Sequence, residues 1–132
     1  VGGYFRGFKD ASGNPSSRNT FNEGSIVVRP QYWFGEHVGL ALEGSYQALA
    51  TAAVRDDGSK ERASMWRFGV VPFLTPAGRG SFTRPHFQLI YLLTSRDAGA
   101  RLRYAPDDKF AKRSNEHYLG LTVEWWFNSS YR

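Results

Sequence analysis

The hydrophobic pattern of this chain repeats every second residue. The plainest case is 116–127, where Leu119, Leu121, Val123, Trp125 and Phe127 alternate with Tyr118, Gly120, Thr122, Glu124 and Trp126. A period of two gives a strand with two chemically different faces. The same alternation sets Val38, Leu40, Leu42, Gly44 and Tyr46 against Gly39, Ala41, Glu43, Ser45 and Gln47. It also sets Trp66, Phe68, Val70, Pro72 and Leu74 against Arg67, Gly69, Val71 and Phe73. Residues 84–94 oppose Pro85, Phe87, Leu89, Tyr91 and Leu93 to Arg84, His86, Gln88, Ile90, Leu92 and Thr94. Residues 25–34 place Ile26, Val28, Pro30, Tyr32 and Phe34 opposite Arg29 and Gln31. With a glycine-weakened strand over 1–9, the pattern predicts about six strands.

These runs are about ten residues long, where an ordinary strand has about five or six. Ten or so is the length that crosses the hydrocarbon layer of an outer membrane at a tilt. Between the strands lie a Ser/Asn/Gly-rich loop at 10–24, a tight turn at Gly35-Glu36, a charged loop at 54–63, a turn at 75–81 and a polar loop at 95–115. Long and short connections thus alternate, which is the plan of an antiparallel up-and-down meander with one elaborate end and one plain end. Rings stand near strand ends, among them Tyr32, Phe34, Tyr46, Trp66, Tyr91, Trp125 and Phe127, as amphipathic rings do at a headgroup boundary. The opposite face carries Arg29, Glu43, Arg67, Arg84 and Glu124 in mid-strand, and no helix is predicted to cover either face. Both features argue against a sandwich core. Six such strands cannot close around a wet interior, so the chain is expected to be part of a larger wall.

Composition narrows the field further. The 132 residues carry a formal charge of +5, but Lys and Arg are scattered singly along the segments, so no nucleic-acid partner is expected. No run of about eighteen apolar residues exists, which excludes a membrane helix and says nothing against a barrel. The absence of cysteine removes disulfides, zinc-thiolate sites and thiol nucleophiles together. His37, His86 and His117 lack metal-ligand spacing, Asp56-Asp57 and Asp107-Asp108 are loop pairs, and no phosphate loop or nucleophile elbow occurs. No enzyme, metal or cofactor is expected. A sugar-processing jelly roll would need two carboxylates about 5 to 10 Å apart in one cleft, and Glu43 and Glu124 are its only mid-strand candidates.

Several motifs then resemble the maltoporin family, the sugar-conducting porins of Gram-negative outer membranes. Val28-Arg29-Pro30-Gln31-Tyr32 followed by Leu42-Glu43-Gly44-Ser45-Tyr46 is similar to that family's Arg-Pro-x-Tyr strand and the strand after it. Phe82-Thr83-Arg84-Pro85 resembles its Trp-Ser-Arg-Pro segment, with Phe in place of Trp, and Val123-Glu124-Trp125-Trp126-Phe127 its closing Glu-x-Trp-aromatic. The resemblance implies that residues 1–132 are the C-terminal portion of a single porin barrel of about eighteen strands, incomplete at the N-terminus. Roughly 250 to 300 further residues of alternating strands behind a signal peptide are expected upstream. It also implies a homotrimer in the outer membrane, surrounded by lipid and passing maltose or maltodextrin-like oligosaccharides by facilitated diffusion. The family stops at its terminal aromatic, whereas Asn128 to Arg132 continue here.

Such channels resemble a slide of inward rings flanked by charged groups. The resemblance carries substrate binding onto Phe82 and Trp126, with Arg84 and Glu124 beside them, and lumen lining onto Arg29, Glu43, Arg67 and Gln88. A small soluble β-barrel or sandwich binding a glycan or an apolar ligand is the alternative. It would stay monomeric in buffer, where a porin segment needs detergent.

Overall fold

The computed structural model describes residues 1–125 apart from Pro15, Arg18, Asp57 and Ser81. It is all-β, an antiparallel meander built from β1 (Gly2–Phe8), β2 (Phe21–Val28), β3 (Gln31–Trp33), β4 (Val38–Val54), β5 (Lys60–Leu74), β6 (His86–Arg96) and β7 (Asn115–Glu124). The strands lie in the order β1-β2-β4-β5-β6-β7, each beside its neighbour in sequence, with β3 continuing the line of β2 against β4. The sheet does not close on itself. The strand predicted over 25–34 is divided at Arg29-Pro30, because proline brings no amide to the ladder. Pro30 still offers its carbonyl, which accepts from the Leu42 amide at 3.0 Å.

Register fixes two faces. On one, rows run straight across the sheet: Leu42 pairs with Val70, Val70 with Tyr91 and Tyr91 with Leu119. A second row joins Val38, Leu74, Phe87 and Val123. These side chains stand open, Leu119 at 70% and Leu121 at 75% exposure. Nothing among the described residues packs on this face, so large apolar side chains lie open in continuous rows from β4 to β7, a surface that soluble monomers rarely expose. A sandwich core would place a second layer here.

The other face carries the predicted charges and the small core. Ala41, Val71 and Phe73 are buried there, with Trp33 and Ile90 packed against them. Glycines let large side chains lie flat on this wall. A Cβ on Gly39 would come within 2.6 Å of the Phe73 ring and 2.8 Å of the Tyr32 carbonyl. One on Gly120 would meet the Tyr118 ring at 2.8 Å, and one on Gly69 would meet Leu92 at 2.7 Å.

Three connections differ from the sequence reading. β4 runs on to Val54 and β5 starts at Lys60, so the charged loop at 54–63 contracts to 55–59. β2 begins at Phe21, inside the predicted loop at 10–24. The 95–115 loop holds two short helices, α1 (Ala98–Arg101) and α2 (Lys109–Lys112), capped by Asp97 and Asp108. In these extensions the alternation of large apolar and polar side chains that reveals a strand is gone, while the hydrogen-bonded ladder continues.

Candidate functional site

The site is built on the polar face at the short-turn end. β3 and β5 bring Trp33 and Phe73 edge to face, their ring centroids 4.9 Å apart at 83°. Phe73 in turn meets the His86 ring at 5.1 Å, and Arg79 reaches over Trp33 at 5.9 Å. Aromatic pairs in this geometry contribute about 0.5–1.5 kcal/mol beyond the area they bury. Phe73 is 4% exposed and forms the base, while Trp33 stays half-buried.

Charge lies beside the rings. Arg84 and Glu124 form an ion pair at 2.7 Å, the guanidinium side chain 10% exposed and the carboxylate more open. A second Arg84 nitrogen donates to the Thr83 carbonyl at 2.8 Å. The register makes this pairing possible, since Glu124 lies opposite His86, two residues beyond Arg84. Arg29 donates to the Gln88 amide oxygen at 3.5 Å, joining the end of β2 to β6 across the site. The turn beneath is tied by Thr83, whose single hydroxyl proton is shared between the Gly78 and Gly80 carbonyls at 2.9 and 2.8 Å.

The structure thus gathers Arg84, Glu124, Arg29 and Gln88 into one neighbourhood. Glu43 and Arg67 share their face further along, Glu43 opposite Gly69 and Arg67 between Ser45 and Thr94. They are diagonal neighbours, a spacing that long side chains can bridge, but no ion pair joins them among the described residues. Phe82 stands in the 75–85 connection, 86% exposed. Trp126 lies outside the described residues.

Trp33, Phe73 and His86 complete the site, and none was singled out for binding from sequence. Trp33 sits in the run Tyr32-Trp33-Phe34, where three rings in a row mask which one turns inward. Parity carries the signal, because Trp33 is one of the odd positions with Arg29 and Gln31. The 95–115 loop, read as polar, likewise hides two working rings. Tyr104 and Phe110 flank the Arg96 guanidinium at 5.7 and 5.1 Å, and Arg96 is ion-paired with Glu116.

A one-layer antiparallel meander with one open apolar face and one polar face carrying rings and ion pairs is a piece of a membrane β-barrel wall. The sequence profile of the LamB porin family matches residues 2–127, and the chain belongs to that family. This is a family of outer-membrane channels of Gram-negative bacteria, not of enzymes. No curated protein and no solved structure matches the chain.

Proposed function

We propose that this chain forms the C-terminal portion of a sugar-conducting outer-membrane porin of maltoporin type, a barrel of about eighteen strands. In this reading the apolar face meets lipid, the polar face lines the lumen, and three copies assemble. Maltose or maltodextrin-like oligosaccharides cross by facilitated diffusion. The observation that carries the reading is the half-buried Trp33 ring, backed by Phe73, standing on the same wall as the Arg84–Glu124 pair and the Arg29–Gln88 bond.

A pyranose ring has C–H patches on its faces and hydroxyls around its edge. Rings take the first, and fixed charges exchange hydrogen bonds with the second. The family resemblance gives Phe82 and Trp126 the same role toward sugar faces, and Arg67 and Glu43 keep the wall wet between the ends. Several weak contacts suit transport, because a ligand must leave each site as readily as it enters.

The test is ion current through the full-length protein in a planar lipid bilayer with maltotriose added. Wild type opens channels that maltotriose blocks reversibly. Arg84→Ala leaves Glu124 without its partner and weakens the block about tenfold, the worth of a charge-assisted hydrogen bond near the low end of its range. Channels indifferent to maltotriose and to shorter and longer glucans would overturn the sugar assignment.

A further inference from the structure

We propose that the cleft between the 97–114 connection and the polar face is a separate saccharide subsite at the long-connection end of the channel, holding one pyranose ring. This rests on the sugar-channel reading above. The cleft encloses about 280 Å³, at the small end of the roughly 300–1,000 Å³ of small-molecule sites. It fits a single sugar ring better than a chain.

Its floor follows from register. Tyr4 pairs with Ser25, Ser25 with Gln47, Gln47 with Met65 and Met65 with Arg96, so one row crosses the sheet from β1 to β6 on the polar face. Glu23 stands beside this row on β2, and Arg103 and Tyr104 close the cleft from the connection. The connection is seated at its root, where the Ser64 hydroxyl donates to the Asp97 carboxylate at 2.7 Å and the Asp97 amide to the Ser64 carbonyl at 3.1 Å.

The chemistry suits a neutral sugar. Tyr4 and Tyr104 bring ring faces, and both remain at least one-third exposed. One Glu23 oxygen accepts from the Tyr4 hydroxyl at 3.1 Å and from Arg6 at 2.7 Å, leaving its other oxygen without a hydrogen bond among the described residues. The Gln47 and Arg103 side chains likewise carry none there, so acceptors and donors converge on the same space. A carboxylate beside a guanidinium favours a ligand that both gives and accepts hydrogen bonds over an anion. Tyr104 is held in place by Arg96, a guanidinium 9% exposed and fixed by Glu116. The roof is therefore set before a ligand arrives, which spares the cost of ordering it.

Tyr104→Ala and Arg103→Ala lie in the connection and leave the strands untouched. With the full-length protein in planar bilayers and maltotriose added from the long-connection side, each is expected to weaken the block about two- to twelvefold. Tyr104→Phe, which keeps the ring, is expected to block like wild type. If both alanine variants bind maltotriose as wild type does, the subsite is wrong while the sugar channel stands. If wild type itself is not blocked from either side, the subsite falls together with the reading it rests on.

Discussion

Gly99 tests whether the 97–114 connection is pinned to the wall. It sits in α1 against the backbone of β5, where a Cβ would overlap the Arg62 carbonyl oxygen and stand 2.8 Å from the carbonyl carbon. Non-bonded carbons rest about 3.5–4.0 Å apart, so Gly99→Ala requires a separation of about 0.7–1.2 Å at that atom alone. Both partners are backbone, and the Arg55 guanidinium lies 3.2 Å away on the same side, so no rotamer change absorbs the shift. Overpacking of this kind costs about 1–3 kcal/mol. The expected result is a connection lifted from its seat in about five to 150 times more molecules.

Limited trypsin digestion of the detergent-solubilised protein reads that population. Arg101, Arg103, Lys109, Lys112 and Arg113 lie in or beside the connection, and cleavage follows the opened fraction when reclosing is faster than cutting. The matched control is Gly44→Ala, on a strand at a position where a Cβ meets nothing within 4 Å. It should leave the digestion rate unchanged. Equal rates for Gly99→Ala and wild type would refute the seating of α1 on β5, and with it the roof of the cleft.

Two further outcomes follow from the faces and from one loop. Leu121→Arg, on the open apolar face, is expected to destabilise the protein in a bilayer by about 2–4 kcal/mol, while Thr122→Arg on the polar face is nearly neutral; equal effects in denaturant unfolding would mean the faces are misassigned. Asp10 accepts from the Ser17 hydroxyl at 2.5 Å, the Ser12 amide at 2.9 Å and the Asn19 amide at 3.4 Å, and these bonds, Ser17 first, lower its pKa from 3.8 to about 2. A depressed carboxylate contributes order that is complete above its ordinary pKa and is lost as pH falls through about 2. The Asp10 carboxyl chemical shift, followed by NMR, should therefore titrate near 2, and a midpoint at the ordinary value would contradict the hydrogen-bonded loop.

The parts of this wall that were legible in the sequence are those where one face is apolar and the other polar. From Val38 to Ala48 and from Ser64 to Leu74, that contrast writes a period of two into the residues, and the register of β4 on β5 keeps every predicted face. Beyond Ala48 the run Leu49-Ala50-Thr51-Ala52-Ala53 carries no contrast, and Lys60-Glu61-Arg62 is charged on both parities, so two strands that continue look like a loop. The face itself was legible, but its contents were not uniform. Ala41, Val71, Phe73, Ile90 and Leu92 share the side of Arg67 and Glu124, where Phe73, Ile90 and Leu92 lie opposite Gly39, Gly120 and Gly69 and so have room to lie down.

That mixture bears on the proposed sugar channel. A wall polar at every inward position would hold water but would offer no flat hydrocarbon for a sugar face. A wall apolar at every inward position would shed the hydroxyls. Phe73 over Gly39 and Tyr118 over Gly120 show how the wall accommodates its rings, since the missing Cβ lets each ring settle close to the backbone. A chain read only for which residues are polar misses this, since the information lies in the small residue across the ladder from each ring or beneath it.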